Sequence, residues 1–335
     1  MGEIMQQLPA TLIGRIFPED RIVIGLRVCR WLREDLMNHA QSIVFKFSAD
    51  FSQKHHVTAK RICEDLTRFP HLPPVSIMPS ERFDQQGPQR LGDLLVAGME
   101  QARSCGLGAS LQLLDLSRLS INQAGAQQIA LVLQECKSLT SLNLHESSVG
   151  EEGIERIATA LAKCPLLSVL DLGHNNLGDE GLTGLARSIG ECKALTHLDL
   201  SQNEIGCKGA GSLSEVLFEC TSLAYLDLHQ NKIGGEGARS LGGMLTECTA
   251  LTLLNLAANQ LGDAGAERLA GGFFGCSALL ELDVSDNGIG GRGALAVVGG
   301  LRNCTQLRVL KLGGGGGDEL RDRDRMPRAR ARAGS

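Results

Sequence analysis

Apolar residues recur along most of this chain in one fixed frame. Counting from Leu111, the frame Leu-x-x-Leu-x-Leu restarts at Leu139, Leu167, Leu195, Leu223, Leu251, Leu279 and Leu307, a period of 28 residues without a slip. Within the period from Leu167 to Ala194, Leu170 and Leu172 alternate with Val169, Asp171 and Gly173. That alternation is the mark of a short strand with one buried face. Asn175 follows, with Asn203, Asn231, Asn259 and Asn287 at the same position of later periods, while Leu119 and Ser147 stand there in the first two. Each asparagine is placed to bond the backbone of a tight turn with its side-chain amide. Leu177-Gly178 and Gly181 then let the chain turn, and Leu185 and Ile189, four apart, fall on one face of a helix. Cys192 ends the period, matched by Cys136, Cys164, Cys220, Cys248, Cys276 and Cys304. Strand, turn and helix repeating at such a spacing predict a solenoid, with strands on the inner wall and helices on the outer.

The length of the period, the turn pattern Leu-Gly-x-x-Gly-Ala and the helical second half resemble the ribonuclease-inhibitor-type leucine-rich repeats over residues 111–312. The resemblance implies an α/β leucine-rich-repeat solenoid, a curved horseshoe of parallel inner strands and outer helices, with a small helical element at the N-terminus. It leaves the job open, because the same architecture serves cytosolic enzyme inhibitors, the sensing arms of NOD-like receptors and Ran GTPase activators.

Residues 1–36 carry a different pattern. After Leu8-Pro9, a stripe of Leu12, Ile13, Ile16 and Phe17 has helical spacing, and beyond Pro18-Glu19-Asp20 a second stripe of Ile22, Val23, Leu26 and Val28 runs to Trp31. Leu-Pro, Ile-Phe and Val-Cys-Arg with Trp resemble an F-box, with a shorter interval between Phe17 and Trp31 than that pattern has. The resemblance implies a substrate receptor of a ubiquitin ligase, in which Leu8, Pro9, Ile16, Phe17 and Val28 pack against a Skp-type adaptor. The alternative is that these helices cap the open first edge of the solenoid.

Between residues 37 and 110 the frame is irregular. Ile43, Phe45 and Phe47 alternate like a strand, and Leu72, Val75 and Ile77 repeat the frame, which predicts two diverged repeats. Ile62 and Leu66 mark one helix and Leu91, Leu94, Leu95 and Met99 another, while Pro79–Pro88 reads as a surface loop. Gly313–Gly317 interrupts the last repeat, and the Arg-, acid- and Ala-rich segment that follows predicts a disordered tail over 313–335.

Composition narrows the function. A chain of 335 residues exceeds one compact core, a limit that stacked units escape. A net charge of −5, one Trp and one Tyr argue against a nucleic-acid binder, which shows a basic face or stacking rings. Seven of the 11 cysteines are the repeat column, predicting reduced, buried thiols rather than a disulfide scaffold. There is no Cys-x-x-Cys, and His55-His56 has no partner at ligand spacing, so neither metal nor cofactor is expected. Phosphate-loop, His-Glu-x-x-His and nucleophile-turn motifs are absent, and the chain reads as no enzyme. Acid pairs such as Glu151-Glu152 and Asp179-Glu180 fall at helix starts, where they serve as caps. Without an apolar signal region or a run long enough to span a bilayer, the expected compartment is the cytoplasm or nucleus, with no membrane partner.

What remains is a protein-binding surface. Residues alternating with the core leucines face the inner wall, where Asp115, Asp171, Asp199, Asp227 and Asp283 form an acidic column. Either these aspartates meet a basic protein partner or they only solvate the strands. The candidate contact set is Asp171, His174, His197, Asp199, Tyr225, Asp227 and His229, with Tyr225 as anchor, since interface hot spots favour large amphipathic rings.

Overall fold

The structure, a computed structural model, describes residues 109 and 111–313 and the backbone of residues 22–23, 43–47 and 75–79. Eleven parallel strands form one sheet whose spatial order is the order of the sequence. The strands before the regular array are β1 (Ile22–Val23), β2 (Ile43–Phe47) and β3 (Val75–Pro79). From there strand and helix alternate: β4 (Leu111–Asp115), α1 (Gln123–Leu133), β5 (Ser141–Asn143), α2 (Gly150–Leu161), β6 (Val169–Asp171), α3 (Gly178–Glu191), β7 (His197–Asp199) and α4 (Cys207–Leu217). The array continues with β8 (Tyr225–Asp227), α5 (Gly234–Leu245), β9 (Leu253–Asn255), α6 (Gly262–Ala270), β10 (Glu281–Asp283), α7 (Gly291–Gly300) and β11 (Val309–Lys311).

Register follows the sequence period. Val169 lies opposite His197, which lies opposite Tyr225, which lies opposite Leu253. Parallel strands sit about 4.8 Å apart, whereas packed helices need about 8–10 Å, so the sheet takes the inner side of an arc. Between the two walls the frame leucines are sealed from water: Leu170, Leu172, Leu177, Leu182, Leu185 and Ile189 of one repeat are all fully buried.

The turn after β6 bends through left-handed backbone at alternate residues. His174, Asn176 and Gly178 have φ of 56°, 55° and 62°. Two of the three carry side chains, a conformation that costs about 1–2 kcal/mol per residue and needs support. Asn175, between them, supplies it. Its Nδ2 donates to the carbonyls of Leu144, Leu172 and Gly173 at 2.7, 3.0 and 3.0 Å. Its own N–H donates to Oδ1 of Asn203 at 2.9 Å, and Asn203 repeats the arrangement one repeat on, toward Asn231. Ser147, one repeat earlier, returns only part of this, donating from Oγ to Leu116 O at 2.8 Å.

The seven cysteines of the column are buried, as expected. Each thiol has a backbone carbonyl as partner, as in Cys192 Sγ to Ser188 O at 3.3 Å and Cys276 Sγ to Leu245 O at 3.4 Å. Burial pushes the Cys136, Cys192 and Cys276 thiols up to about 12, and Cys164 and Cys248 to about 11, so the nucleophilic thiolate is suppressed. Cys207, at the start of α4, is exposed.

The acids expected to cap at helix starts make no side-chain cap on α2 or α3 themselves; Asp179 and Asp263 cap the helix of the following repeat instead. Oδ1 of Asp179 accepts the N–H groups of Gly206 and Gly209 at 2.6 and 2.9 Å, closing the first turn of α4, whose own N-cap Gly206 has no side chain to offer. Asp263 does the same for α7, accepting from Gly290 and Gly293 at 2.8 and 2.7 Å.

Several expectations need correction. Ile22 and Val23, placed above on a helical stripe, form β1 and pair in parallel with Ile43 and Val44. Two adjacent β-branched residues favour a pleated backbone, and the free edge of β2 gives it hydrogen-bonding partners. In β3, Ile77 lies opposite Leu114 rather than Leu116, so the frame read through Leu72, Val75 and Ile77 is offset, with a register shift between Val75 and Ser76. Pro79 closes β3 instead of opening a loop. The remaining head positions, the helices around Ile62 and Leu91, the loop to Pro88, His55-His56 and the tail after Gly313 lie outside the described residues. Among the described residues no helix is long and apolar enough to cross a membrane.

Candidate protein-interaction face on the inner wall

Each strand offers three outward positions, and stacking at one period turns them into three columns. Leu113, Ser141, Val169, His197, Tyr225, Leu253 and Glu281 form the first; Asp115, Asn143, Asp171, Asp199, Asp227, Asn255 and Asp283 the second; Ser117, His145, Gly173, Ser201, His229, Ala257 and Ser285 the third.

The second column has a structural duty first. Oδ1 of Asp171 accepts the N–H of Gly173 at 3.0 Å, Asp199 that of Ser201 at 2.9 Å, and Asp227 that of His229 at 2.8 Å. Asn143 and Asn255 make the same bond to His145 and Ala257 at 2.9 and 3.1 Å. An amide therefore serves the turn as well as a carboxylate, and the choice of Asp is a choice of charge.

How that charge is used differs along the wall. Asp227 is a hub and nearly buried: Tyr225 Oη donates to its Oδ2 at 3.3 Å, Asn255 Nδ2 to the same oxygen at 3.0 Å, and His229 Nδ1 lies 2.8 Å from its Oδ1. Tyr225 stacks on His197, ring centres 5.6 Å apart and planes inclined by 19°. Burial, with Asp227 and Asp199 nearby, pushes its phenol up to about 12, so the hydroxyl stays a donor. At the far end Lys311 Nζ reaches Asp283 at 3.0 Å and Glu281 at 3.3 Å. Burial would raise Asp283, but bonds from Ser285 and Lys311 outweigh it and hold the carboxyl below its usual range. Asp171 and Asp199, in mid-wall, have no lysine or arginine partner among the described residues. Burial raises the Asp171 carboxyl, and neighbouring Asp199 adds to the rise against the pull of Gly173 N–H and His145.

Of the seven candidate residues, the structure thus joins His197 to Tyr225, Tyr225 to Asp227, and Asp227 to His229. Asp171 and Asp199 lie beside that cluster in the same column. His174 stands apart. It occupies the left-handed turn, exposed, and among the described residues it makes no hydrogen bond or ring contact with Tyr225. One residue was overlooked. His145 sits in the third column, Nδ1 3.3 Å from Asp171 Oδ1, and three periods separate it from His229 in the sequence, so the repeat register alone identifies it.

Among solved structures, actin-binding site 2 of leiomodin-1 is similar at 23% identity and a TM-score of 0.34, covering 37% of this chain and 74% of that one. An internalin (inlF) from Listeria monocytogenes str. 4b F2365 is similar at 19% identity and a TM-score of 0.37, covering 76% of this chain and 77% of that one. No curated protein matches the chain in sequence. Residues 163–186, 191–214, 219–242, 247–270 and 275–298 each match the leucine-rich repeat model, and this part of the chain is a run of leucine-rich repeats.

Proposed function

We propose that the chain is a protein-interaction module that holds a basic partner segment on its inner wall and, through residues 1–36, brings it to a Skp-type adaptor as the substrate receptor of a ubiquitin ligase. The observation carrying the first half is the mid-wall cluster. An aromatic ring fixed by a stack and a hydrogen bond stands next to two carboxylates that have no lysine or arginine partner among the described residues. Rigid amphipathic rings make binding anchors at low entropy cost, and unneutralised acid attracts lysine and arginine. Leu8, Pro9, Ile16, Phe17 and Val28 support the second half through their F-box-like pattern. His174 belongs to the recognition set only as a rim residue of the turn.

A second reading has its own support. β1 extends the sheet at the N-terminal edge, as expected of a segment that caps the solenoid in a scaffold or regulator of the NOD-like-receptor, inhibitor or Ran GTPase-activator kind.

The wall is tested with a partner recovered by co-purification from native cells. Changing Asp171 and Asp199 together to Asn removes charge while keeping the turn bonds that Asn143 and Asn255 already make. Association of a basic partner is expected to slow several-fold at low salt and to converge with the parent at high salt, because the field is screened over about 10 Å at 0.1 M. Tyr225→Ala is expected to act on the dissociation rate instead. A partner indifferent to both changes binds the outer helices or the loops, and the inner-wall reading falls.

A further inference from the structure

We propose that the inner wall holds one divalent transition-metal ion of the Zn²⁺ or Mn²⁺ class across β5, β6 and β7, ligated by His145, Asp171 and Asp199. One ring nitrogen of His145 and one oxygen of each carboxylate lie within 4.8 Å of one another. Ligands on opposite sides of such an ion stand about 4 Å apart, so small side-chain rotations close the set. A mixed imidazole and carboxylate set suits these metals better than Ca²⁺ or Mg²⁺, which prefer oxygen alone.

Two further features point to an occupant. Gly173 lies between the ligands, and a Cβ there would sit 2.6 Å from His145 Nδ1 and 2.9 Å from Ser201 Oγ, so the missing side chain leaves a hollow that both atoms border. Ser201 is 1% exposed, and its Oγ is the one buried side-chain nitrogen or oxygen among the described residues with no hydrogen-bond partner. Burying a hydroxyl unpaired costs about 1–3 kcal/mol. Water carried by an ion in the hollow gives that hydroxyl its partner. A dication also relieves the repulsion between Asp171 and Asp199, which stand opposite each other on β6 and β7. Its members are 26 and 28 residues apart, so no close ligand pair in the sequence marks the set.

Uptake needs no protein partner, so the site is tested on the full chain with the metal alone; failure of uptake leaves the partner reading standing, whereas an occupied site competes with a basic partner for Asp171 and Asp199. After chelator treatment, Mn²⁺ is titrated and free ion followed by electron paramagnetic resonance, then Zn²⁺ is added in competition. One Mn²⁺ per chain, displaced by Zn²⁺, is the expected result. His145→Gln, which removes a ligand, and Gly173→Ala, which keeps every ligand and fills the hollow, should each weaken uptake at least about tenfold. Asp115→Asn, the same loss of charge two strands from Asp171, should leave it unchanged. Metal-free melting curves establish that each variant is folded. No saturable uptake, uptake insensitive to both His145→Gln and Gly173→Ala, or equal weakening by Asp115→Asn overturns the proposal.

Discussion

Gly272→Ala is expected to lower stability by about 3 kcal/mol, the upper range for forcing extra volume into a packed core. Its Cβ would lie 2.2 Å from the carbonyl oxygen of Gly242 and 2.9 Å from that residue's carbonyl carbon and Cα. All three are backbone atoms of the preceding outer helix, so no rotamer change relieves the overlap and the two repeats must separate. Gly300, one period later, meets Ala270 O at 2.2 Å in the same way. Gly271 is the internal control. It adjoins Gly272, adopts helical backbone at φ −61°, and a Cβ there meets nothing within 4 Å. Gly271→Ala should therefore be neutral or slightly stabilising, because it restricts only the unfolded chain. Denaturant midpoints of the two variants decide it, and equal midpoints would show that close backbone approach does not hold the outer wall together.

The second large effect is expected at Asn231→Ala. Nδ2 of Asn231 donates to the carbonyls of Leu200, Leu228 and His229 at 3.0, 2.9 and 3.3 Å, and its Oδ1 accepts the N–H groups of Asn203 and Ile205 at 2.9 and 3.0 Å. Alanine leaves those two N–H groups unpaired in a buried turn, and at about 1–3 kcal/mol per buried unsatisfied group the loss is about 3 kcal/mol. Asn287 makes the same kinds of bond, to Leu256, Val284, Ser285, Asn259 and Leu261. Its repeat lies near the end of the described array, where local opening breaks fewer interfaces, so Asn287→Ala should shift the melting temperature less. Equal shifts would count against nearest-neighbour coupling along the ladder.

The sequence period made the solenoid legible because one number fixes every column: Leu170, Asn175 and Cys192 are buried for the same reason as their counterparts a period away. Individual side-chain bonds were less legible. Asp179 was read as a cap of its own helix, but its carboxylate reaches across to α4, where Gly206 has no side chain to cap with. The period says that two residues are neighbours; it does not say which way a carboxylate turns. The same limit applies on the inner wall. Tyr225, His197, Asp227 and His229 were grouped by alternation and do meet, while His174 was drawn in by sequence proximity although the left-handed turn carries it off the strand. His145 was missed for the opposite reason, since its register, not its sequence neighbours, places it by Asp171. Outside the regular array the frame weakened with the repeats themselves, as the offset at Ile77 shows.

The receptor function is tested most directly by equilibrium binding of a purified Skp-type adaptor to three forms: the intact chain, the Pro9→Ala variant, and a chain that starts at residue 37. Removing residues 1–36 also removes β1, so Pro9→Ala, which leaves β1 in place, is the cleaner arm. On the proposed reading Pro9 opens a helix, where a missing N–H has no intrahelical partner in any case, so alanine is expected to be tolerated while contact of the ring with the adaptor is lost. The expected result is saturable binding by the intact chain, clearly weaker binding by Pro9→Ala at an unchanged melting temperature, and none by the shortened chain. Adaptor binding by the intact chain no stronger than by the shortened one would contradict the receptor function and leave residues 1–36 as a cap on the solenoid.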